Sequence, residues 1–184
     1  LYFAEFCQRV GLPPGVVNIL TGDGDTGSEL IKQPELSKIA FTGSTEVGRK
    51  IKKDLAGSGK SITLELGGKS PFIIFDDADI DGAIEGLVDA IWLNQGQVCC
   101  AGSRLLVQEP IYARVYKKLI ARMKKLRVGN PLDKSIDMGA IISSEQLNRI
   151  NSMVSDSVKD GAELFQCALP NDLEGFYFPP SLIN

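Results

Sequence analysis

The sequence contains no histidine, and its only four cysteines stand at positions 7, 99, 100 and 167. With no imidazole and no repeated Cys-x-x-Cys spacing, the ligand sets of the common zinc sites are missing, so no metal site is expected. The cysteines form no disulfide framework either. Free thiols suit a reducing compartment such as the cytosol, which makes a cytoplasmic location the expectation. No apolar run approaches the roughly 20 residues that a membrane span needs. Strong charge of one sign is missing as well: 20 Lys and Arg against 23 Asp and Glu leave a formal charge of −3. That balance offers nothing to a nucleic acid. The one basic run, residues 114–127, is interleaved with Val115, Leu119, Ile120, Met123 and Leu126. This spacing predicts an amphipathic helix with a solvated basic face.

What is present is ordinary globular material. Hydrophobic residues make up 43% and charged ones 23% of the 184, enough for one domain or parts of two. The chain opens on the apolar LYFAEFCQRVG and closes on SLIN after a Pro-Pro pair, and no signal or transit segment is visible. Both ends read as the interior of a longer chain.

Along residues 1–66, helix and strand patterns alternate. Residues 1–10 read as a helix stopped by Gly11 and the Pro13-Pro14 pair. Residues 16–20 read as a short buried strand, residues 29–33 as a short helix, and residues 38–41 as a strand entering Thr42-Gly43-Ser44. Val47, Ile51 and Leu55 recur at four-residue steps, which predicts a helix, and residues 61–66 read as the next strand. Strands separated by helices of this length imply a parallel α/β sheet. The pattern restarts after Gly67-Gly68, where two glycines would permit a sharp turn. Residues 72–75 and 105–108 read as strands, with Asp79 as N-cap of a helix striped by Ile80, Ile84, Leu87, Val88 and Ile91. Ser143-Ser144-Glu145-Gln146 has the form of a capping box opening a helix striped by Leu147, Ile150, Val154 and Val158. Residues 176–178, FYF, are strand-like.

Three segments could carry chemistry. Phe41-Thr42-Gly43-Ser44-Thr45-Glu46-Val47-Gly48 is strand, glycine turn and helix start, where free N–H groups and the dipole attract anions. On these residues alone, a plain βα turn with Ser44 as N-cap is the simpler reading. Asn94-Gln95-Gly96-Gln97-Val98-Cys99-Cys100-Ala101-Gly102-Ser103-Arg104 lies between a helix and a strand, where catalytic groups are often presented. Two buried cysteines acting as small apolar residues explain that pair more simply than a reactive thiol. Glu65, in the strand SITLEL, reads either as a residue on a wet strand face or as a base whose pKa is raised by partial burial. Alternation places it on the same face as Thr63.

Together, FTGSTEVG (41–48), LELGGKSP (64–71) and NQGQVCCAGSR (94–104) resemble the signature motifs of the aldehyde dehydrogenase superfamily, in the family's order. GLPPGVVNILTG and VGNPLD are similar to it too, so the resemblance covers nearly the whole chain. Cys99 follows Glu65 by 34 positions, a spacing many members share. Val98 and Trp92 are mild departures. The LVDAIW and SRLLVQE stretches resemble family sixteen of that superfamily.

The resemblance implies an α/β fold: the C-terminal part of a Rossmann-like cofactor domain in residues 1–66, then part of the thiol-bearing catalytic domain in residues 67–184. It implies Cys99 as nucleophile, Cys100 as its neighbour, and Glu65 as the general base. It places Thr42 near a nicotinamide and Gly43, Ser44, Thr45, Glu46, Val47 and Gly48 along the pyrophosphate turn, with Leu66 packed by the cofactor. NAD or NADP is the implied cofactor, an aldehyde the substrate, and a homo-oligomer the full-length assembly. The implied chemistry oxidises an aldehyde to an acid through a Cys99 thiohemiacetal and thioester. The family's oxyanion asparagine and ribose-binding residues fall outside these 184 residues, so the isolated chain is expected to be inactive. The alternative is a non-catalytic scaffold of the same family. Transfer of the thioester to coenzyme A is a third reading, which Glu65 disfavours.

Overall fold

The computed structural model describes residues 1–184. The chain divides into two compact units, Leu1–Leu66 and Gly67–Asn184.

In the first unit, helices α1 (Tyr2–Arg9) and α2 (Gly24–Lys32) precede strand β1 (Lys38–Gly43), helix α3 (Thr45–Asp54) and strand β2 (Ser61–Leu66). β1 and β2 pair in parallel from Lys38 opposite Ser61 to Gly43 opposite Leu66. Parallel neighbours need a crossover, and α3 supplies it. The helix buries Ile51, and Leu55 just beyond its end is buried too; with Ile39 of β1 they form a small core that Phe41, Ile62 and Leu64 flank. Val47, on the same stripe, stays exposed. Helix α2 starts earlier than its apolar residues imply because the Asp23 side chain accepts the Asp25 N–H at 3.1 Å. At the other end of α2, the Lys60 ammonium donates to the carbonyls of Ile31 (2.8 Å) and Gln33 (2.5 Å). A cation there suits the negative end of the helix dipole.

Residues 16–20 are not a strand. Val16 donates to the Pro13 carbonyl at 3.3 Å and Asn18 Nδ2 to the Gly15 carbonyl at 2.9 Å, so the segment closes on itself in turns. Its apolar residues remain exposed, from Ile19 at 37% to Leu20 at 67%. A strand needs a ladder partner, and β1 and β2 pair only with each other.

The second unit repeats the parallel motif. Strand β3 (Pro71–Ile74) pairs with strand β4 (Arg104–Val107), with helix α4 (Ile80–Trp92) between them. Helix α5 (Tyr112–Met123) follows, then helix α6 (Ser144–Lys159) and the antiparallel pair β5 (Leu164–Gln166) and β6 (Ser181–Ile183). Asp79 caps α4 and Ser143 caps α6, the latter through Ser143 Oγ accepting the Gln146 N–H at 3.2 Å. Val115, Leu119 and Met123 of α5 pack with Ile84, Leu87 and Val88 of α4 as the unit's core. The basic side of α5 is surface: Arg122 meets Glu85 at 2.9 Å and Lys118 pairs with Asp81. Residues 176–178 are not a strand either. Phe176 offers its carbonyl to Ile141 alone (2.6 Å), and Pro179 and Pro180 have no N–H to give a ladder, so pairing begins at Ser181. No helix is long and apolar enough to cross a membrane.

Candidate active site

The loop that carries Cys99 begins with an unusual backbone. Leaving α4, the chain passes through Asn94 (φ 49°), Gln95 (φ 57°) and Gly96 (φ 72°), three consecutive left-handed residues. Glycine is required at 96, since a Cβ there would also stand 2.9 Å from the Ile91 carbonyl. Asn94 tolerates this region better than most residues, Gln95 has no such freedom, and left-handed non-glycine residues cost of order 1–3 kcal/mol each unless their surroundings hold them. Here the surroundings do so. Gln97 donates its backbone N–H to the Asn94 carbonyl at 3.0 Å, and its Nε2 reaches the same oxygen at 3.3 Å. Gln97 Oε1 accepts the Ile142 N–H at 3.0 Å. The Gln95 amide oxygen accepts the Gly139 N–H at 2.7 Å, and its nitrogen donates to the Ala140 carbonyl at 3.2 Å.

A turn closed by Ala101 N–H on the Val98 carbonyl (3.1 Å) then presents Cys99 and Cys100, and both are exposed. This corrects the simpler expectation of two buried cysteines, and Cys100 is no packing residue. Cys7 and Cys167 are the half-buried pair. Beyond the turn, Gly102 N–H bonds the Ala90 carbonyl at 2.9 Å, and Arg104 secures the exit. Its backbone N–H donates to the Ser70 carbonyl (3.2 Å) and its Nε to the Lys69 carbonyl (2.7 Å). Gly68 completes this seam. A Cβ on it would lie 2.9 Å from the Cys99 carbonyl, so glycine serves here for space. Neither Gly67 nor Gly68 has the positive φ that a sharp glycine turn would use.

In the first unit the C-terminal ends of β1 and β2 collect the other expected residues. Glu65 stands opposite Thr42, and Leu66 opposite Gly43. Strand alternation exposes Thr63 and Glu65 while Ile62, Leu64 and Leu66 turn inward. The Glu65 carboxylate is therefore exposed within this unit, not partly buried. Ser44 is the N-cap of α3, its Oγ accepting the Val47 N–H at 3.2 Å. The remaining N–H groups of the first turn have no intrahelical partner by construction. Glu46 in the first turn and Lys52 and Lys53 in the last suit the dipole. Thr42, Gly43 and Ser44 are exposed, whereas Gly48 is buried. A Cβ on Gly48 would stand 2.6 Å from Leu66 Cδ2, so this glycine lets α3 lie close against the end of β2. Ligands of open α/β sheets bind at such carboxyl ends of strands.

A match to the aldehyde dehydrogenase family extends over residues 1–184. The chain belongs to the aldehyde dehydrogenase family. It is 39% identical over 184 residues to a glutarate-semialdehyde dehydrogenase of Pseudomonas aeruginosa, covering 100% of this chain and 38% of that one. Among solved structures, an NAD-dependent aldehyde dehydrogenase from Sinorhizobium meliloti superposes with a TM-score of 0.94 at 38% identity, over 99% of this chain and 37% of that one. A betaine aldehyde dehydrogenase from Staphylococcus aureus, solved in complex with NAD+, gives 0.92 at 37% identity over 99% and 37% of the two chains. The chain thus spans a little over a third of the length of these relatives, and its α/β fold is a portion of theirs.

A cavity of about 670 Å³ in the Gly67–Asn184 unit lies over β4, walled by Ile91, Trp92, Tyr112, Tyr116 and Leu182; Gly102, Ser103 and Arg104 line it, and Cys99 does not. The N-Q-G-Q run gave no sign in advance that Gln95 and Gln97 brace the loop, because both partners lie more than 40 residues downstream, on backbone atoms.

Proposed function

We propose that this chain carries the nucleophile, the general base and part of the cofactor cradle of an NAD(P)-dependent aldehyde dehydrogenase. The supporting observation is the exposed Cys99 thiol, held on a strained loop that side chains fasten from both ends. Strain of this kind persists where the surroundings over-determine it, and such places are commonly functional.

The cradle fits a dinucleotide. The backbone N–H groups at the start of α3 suit a pyrophosphate, and glycine at 43 and 48 keeps that corner open and close-packed. Ser44, Thr45 and Glu46 would hold the phosphates through backbone N–H groups, with Val47 and Gly48 continuing the turn and Thr42 and Leu66 beside the nicotinamide end. A bound NAD or NADP supplies the acceptor for the hydride that leaves the substrate carbon. Every other step belongs to the chain. Cys99 Sγ adds to the aldehyde carbon, forming a C–S bond and a thiohemiacetal oxyanion. Loss of hydride from that carbon leaves a thioester on Cys99. Glu65 takes a proton from water, whose oxygen attacks the thioester carbon and breaks the C–S bond, releasing acid and thiol. Dividing the oxidation around a covalent intermediate replaces one difficult step by two easier ones. Residues 1–66 serve the cofactor and residues 67–184 present the thiol. The substrate is an aldehyde, and a homo-oligomer is the assembly in which the full-length protein acts. The isolated 184-residue chain should show no appreciable turnover, because the family's oxyanion asparagine is not among its residues and one such donor is worth about 10²–10³ in rate.

The test is a chimera in which these residues replace the matching segment of the Pseudomonas aeruginosa glutarate-semialdehyde dehydrogenase. Cys99→Ser should abolish aldehyde-dependent NADH formation. Glu65→Gln should retain the first-turnover burst and slow the steady state, since the amide keeps the shape but accepts no proton. Turnover persisting in Cys99→Ser would defeat the proposal. A chimera that assembles yet stays inactive with both residues intact would favour the scaffold reading.

A further inference from the structure

We infer that Gln97 is a positioning residue that fixes which of two adjacent exposed thiols is presented for reaction. This rests on the reading of Cys99 as the nucleophile. Cys99 and Cys100 are neighbours in one turn and both are exposed. Exposure therefore does not distinguish them, and the conformation of the loop must. That conformation depends on three left-handed residues in a row, two of them not glycine. Gln97 joins this strained entry to a distant segment. Its Nε2 donates to Asn94 O (3.3 Å) inside the left-handed turn, while its Oε1 accepts from Ile142 N (3.0 Å), 45 positions away. Gln95 makes the parallel connection to Gly139 and Ala140. Two glutamine amides thus pin the loop to residues 139–142, and Gln97 stands two positions before Cys99. Neither contact touches a reacting atom, so the role is positional.

A glutamine is suited to this place because one planar amide must donate and accept at once. Glutamate has the same shape and keeps the acceptor for Ile142 N–H, but as a carboxylate it has no proton to give the Asn94 carbonyl. Alanine removes both bonds. The two substitutions separate the contacts.

The experiment is brief iodoacetamide labelling of the 184-residue chain, with peptide mapping of the Cys99 to Cys100 labelling ratio and amide hydrogen exchange on the same samples. The unsubstituted chain should label at Cys99 in preference to Cys100. Gln97→Ala should bring the ratio down by about tenfold, the scale of two neutral hydrogen bonds. It should also speed exchange at the Ile142 amide while the α4 amides stay protected. Gln97→Glu should keep Ile142 protected and lose part of the labelling preference. A ratio near one in the unsubstituted chain would defeat the nucleophile reading and this inference with it. A strong preference that survives Gln97→Ala, with Ile142 exchange accelerated, would leave the nucleophile reading standing and overturn the positioning role. A folding loss in Gln97→Ala would show as exchange throughout α4, and Gln97→Glu then decides.

Discussion

A methyl group on Gly48 tests the geometry of the βα corner with a sign that changes. Gly48 sits in the first turns of α3, where alanine favours the helix by about 1 kcal/mol over glycine. Against this stands the approach of β2: the new Cβ would lie 2.6 Å from Leu66 Cδ2, 2.8 Å from Cδ1 and 3.3 Å from Cγ. Because the branching carbon is close as well as both methyls, rotating one methyl aside does not relieve the contact. Overpacking of this kind costs about 1–3 kcal/mol. The clash outweighs the propensity, and Gly48→Ala should destabilise the first unit by about 1 kcal/mol. In a Leu66→Ala background the obstruction is gone, and the same substitution should stabilise by up to ~1 kcal/mol. The measurement is a double-mutant cycle by hydrogen exchange of the β1 and β2 amides, which reads this unit separately from residues 67–184. Leu66→Ala has its own cost, which the cycle subtracts. If Gly48→Ala stabilised the chain with Leu66 in place, α3 would not approach β2 as described and the packed corner would be wrong.

Three further outcomes are expected. Leu119→Ala, at a site 1% exposed in the α4–α5 core, should cost the second unit about 2–5 kcal/mol in urea unfolding followed by Trp92 fluorescence; a loss below 1 kcal/mol would mean that this core is loose. Asp137 accepts from Arg127 N (2.9 Å), Nε (3.1 Å) and Nη2 (3.3 Å), and the Arg127 side-chain bonds lead in holding its carboxyl below the ordinary 3.8. A lowered folded-state pKa stabilises above the unfolded value and loses that contribution as pH falls through the folded one. Asp137→Asn should therefore lower the melting temperature at pH 7, with the difference from the parent vanishing below the usual carboxylate range; a difference constant down to pH 2 would remove the linkage. Burial pushes the Cys167 thiol up, with Lys124 opposing weakly, so Cys167 should be alkylated more slowly than Cys99 near neutral pH; equal rates in peptide mapping would contradict its packing.

Much of the fold was legible because local signals and tertiary packing agree. Asp79, Ser143 and Ser44 each announce a helix start, and each side chain accepts the expected N–H. The strand SITLEL alternates as its letters do. Failures arose where a segment's fate depends on a partner the letters do not name. Residues 16–20 have strand composition and no ladder to join, so their backbone bonds close locally. Residues 176–178 have it too, but the prolines that follow shift pairing to Ser181.

The candidate site divides along the same line. Residue identity suggests a thiol, a carboxylate and a glycine turn, since each kind of chemistry demands a particular side chain. It does not say how the thiol is held. That depends on left-handed φ at Asn94 and Gln95 in succession, which asparagine tolerates and glutamine does not favour, and on backbone atoms of residues 139–142 that any amino acid but proline would supply. Gly68 makes the same point. A doubled glycine suggests a turn, yet its backbone has no need of positive φ, and its missing Cβ accommodates the Cys99 carbonyl. The residues that react advertise themselves by their functional groups. The residues that place them act through hydrogen or through an absent methyl, and only the folded arrangement tells them from ordinary loop residues.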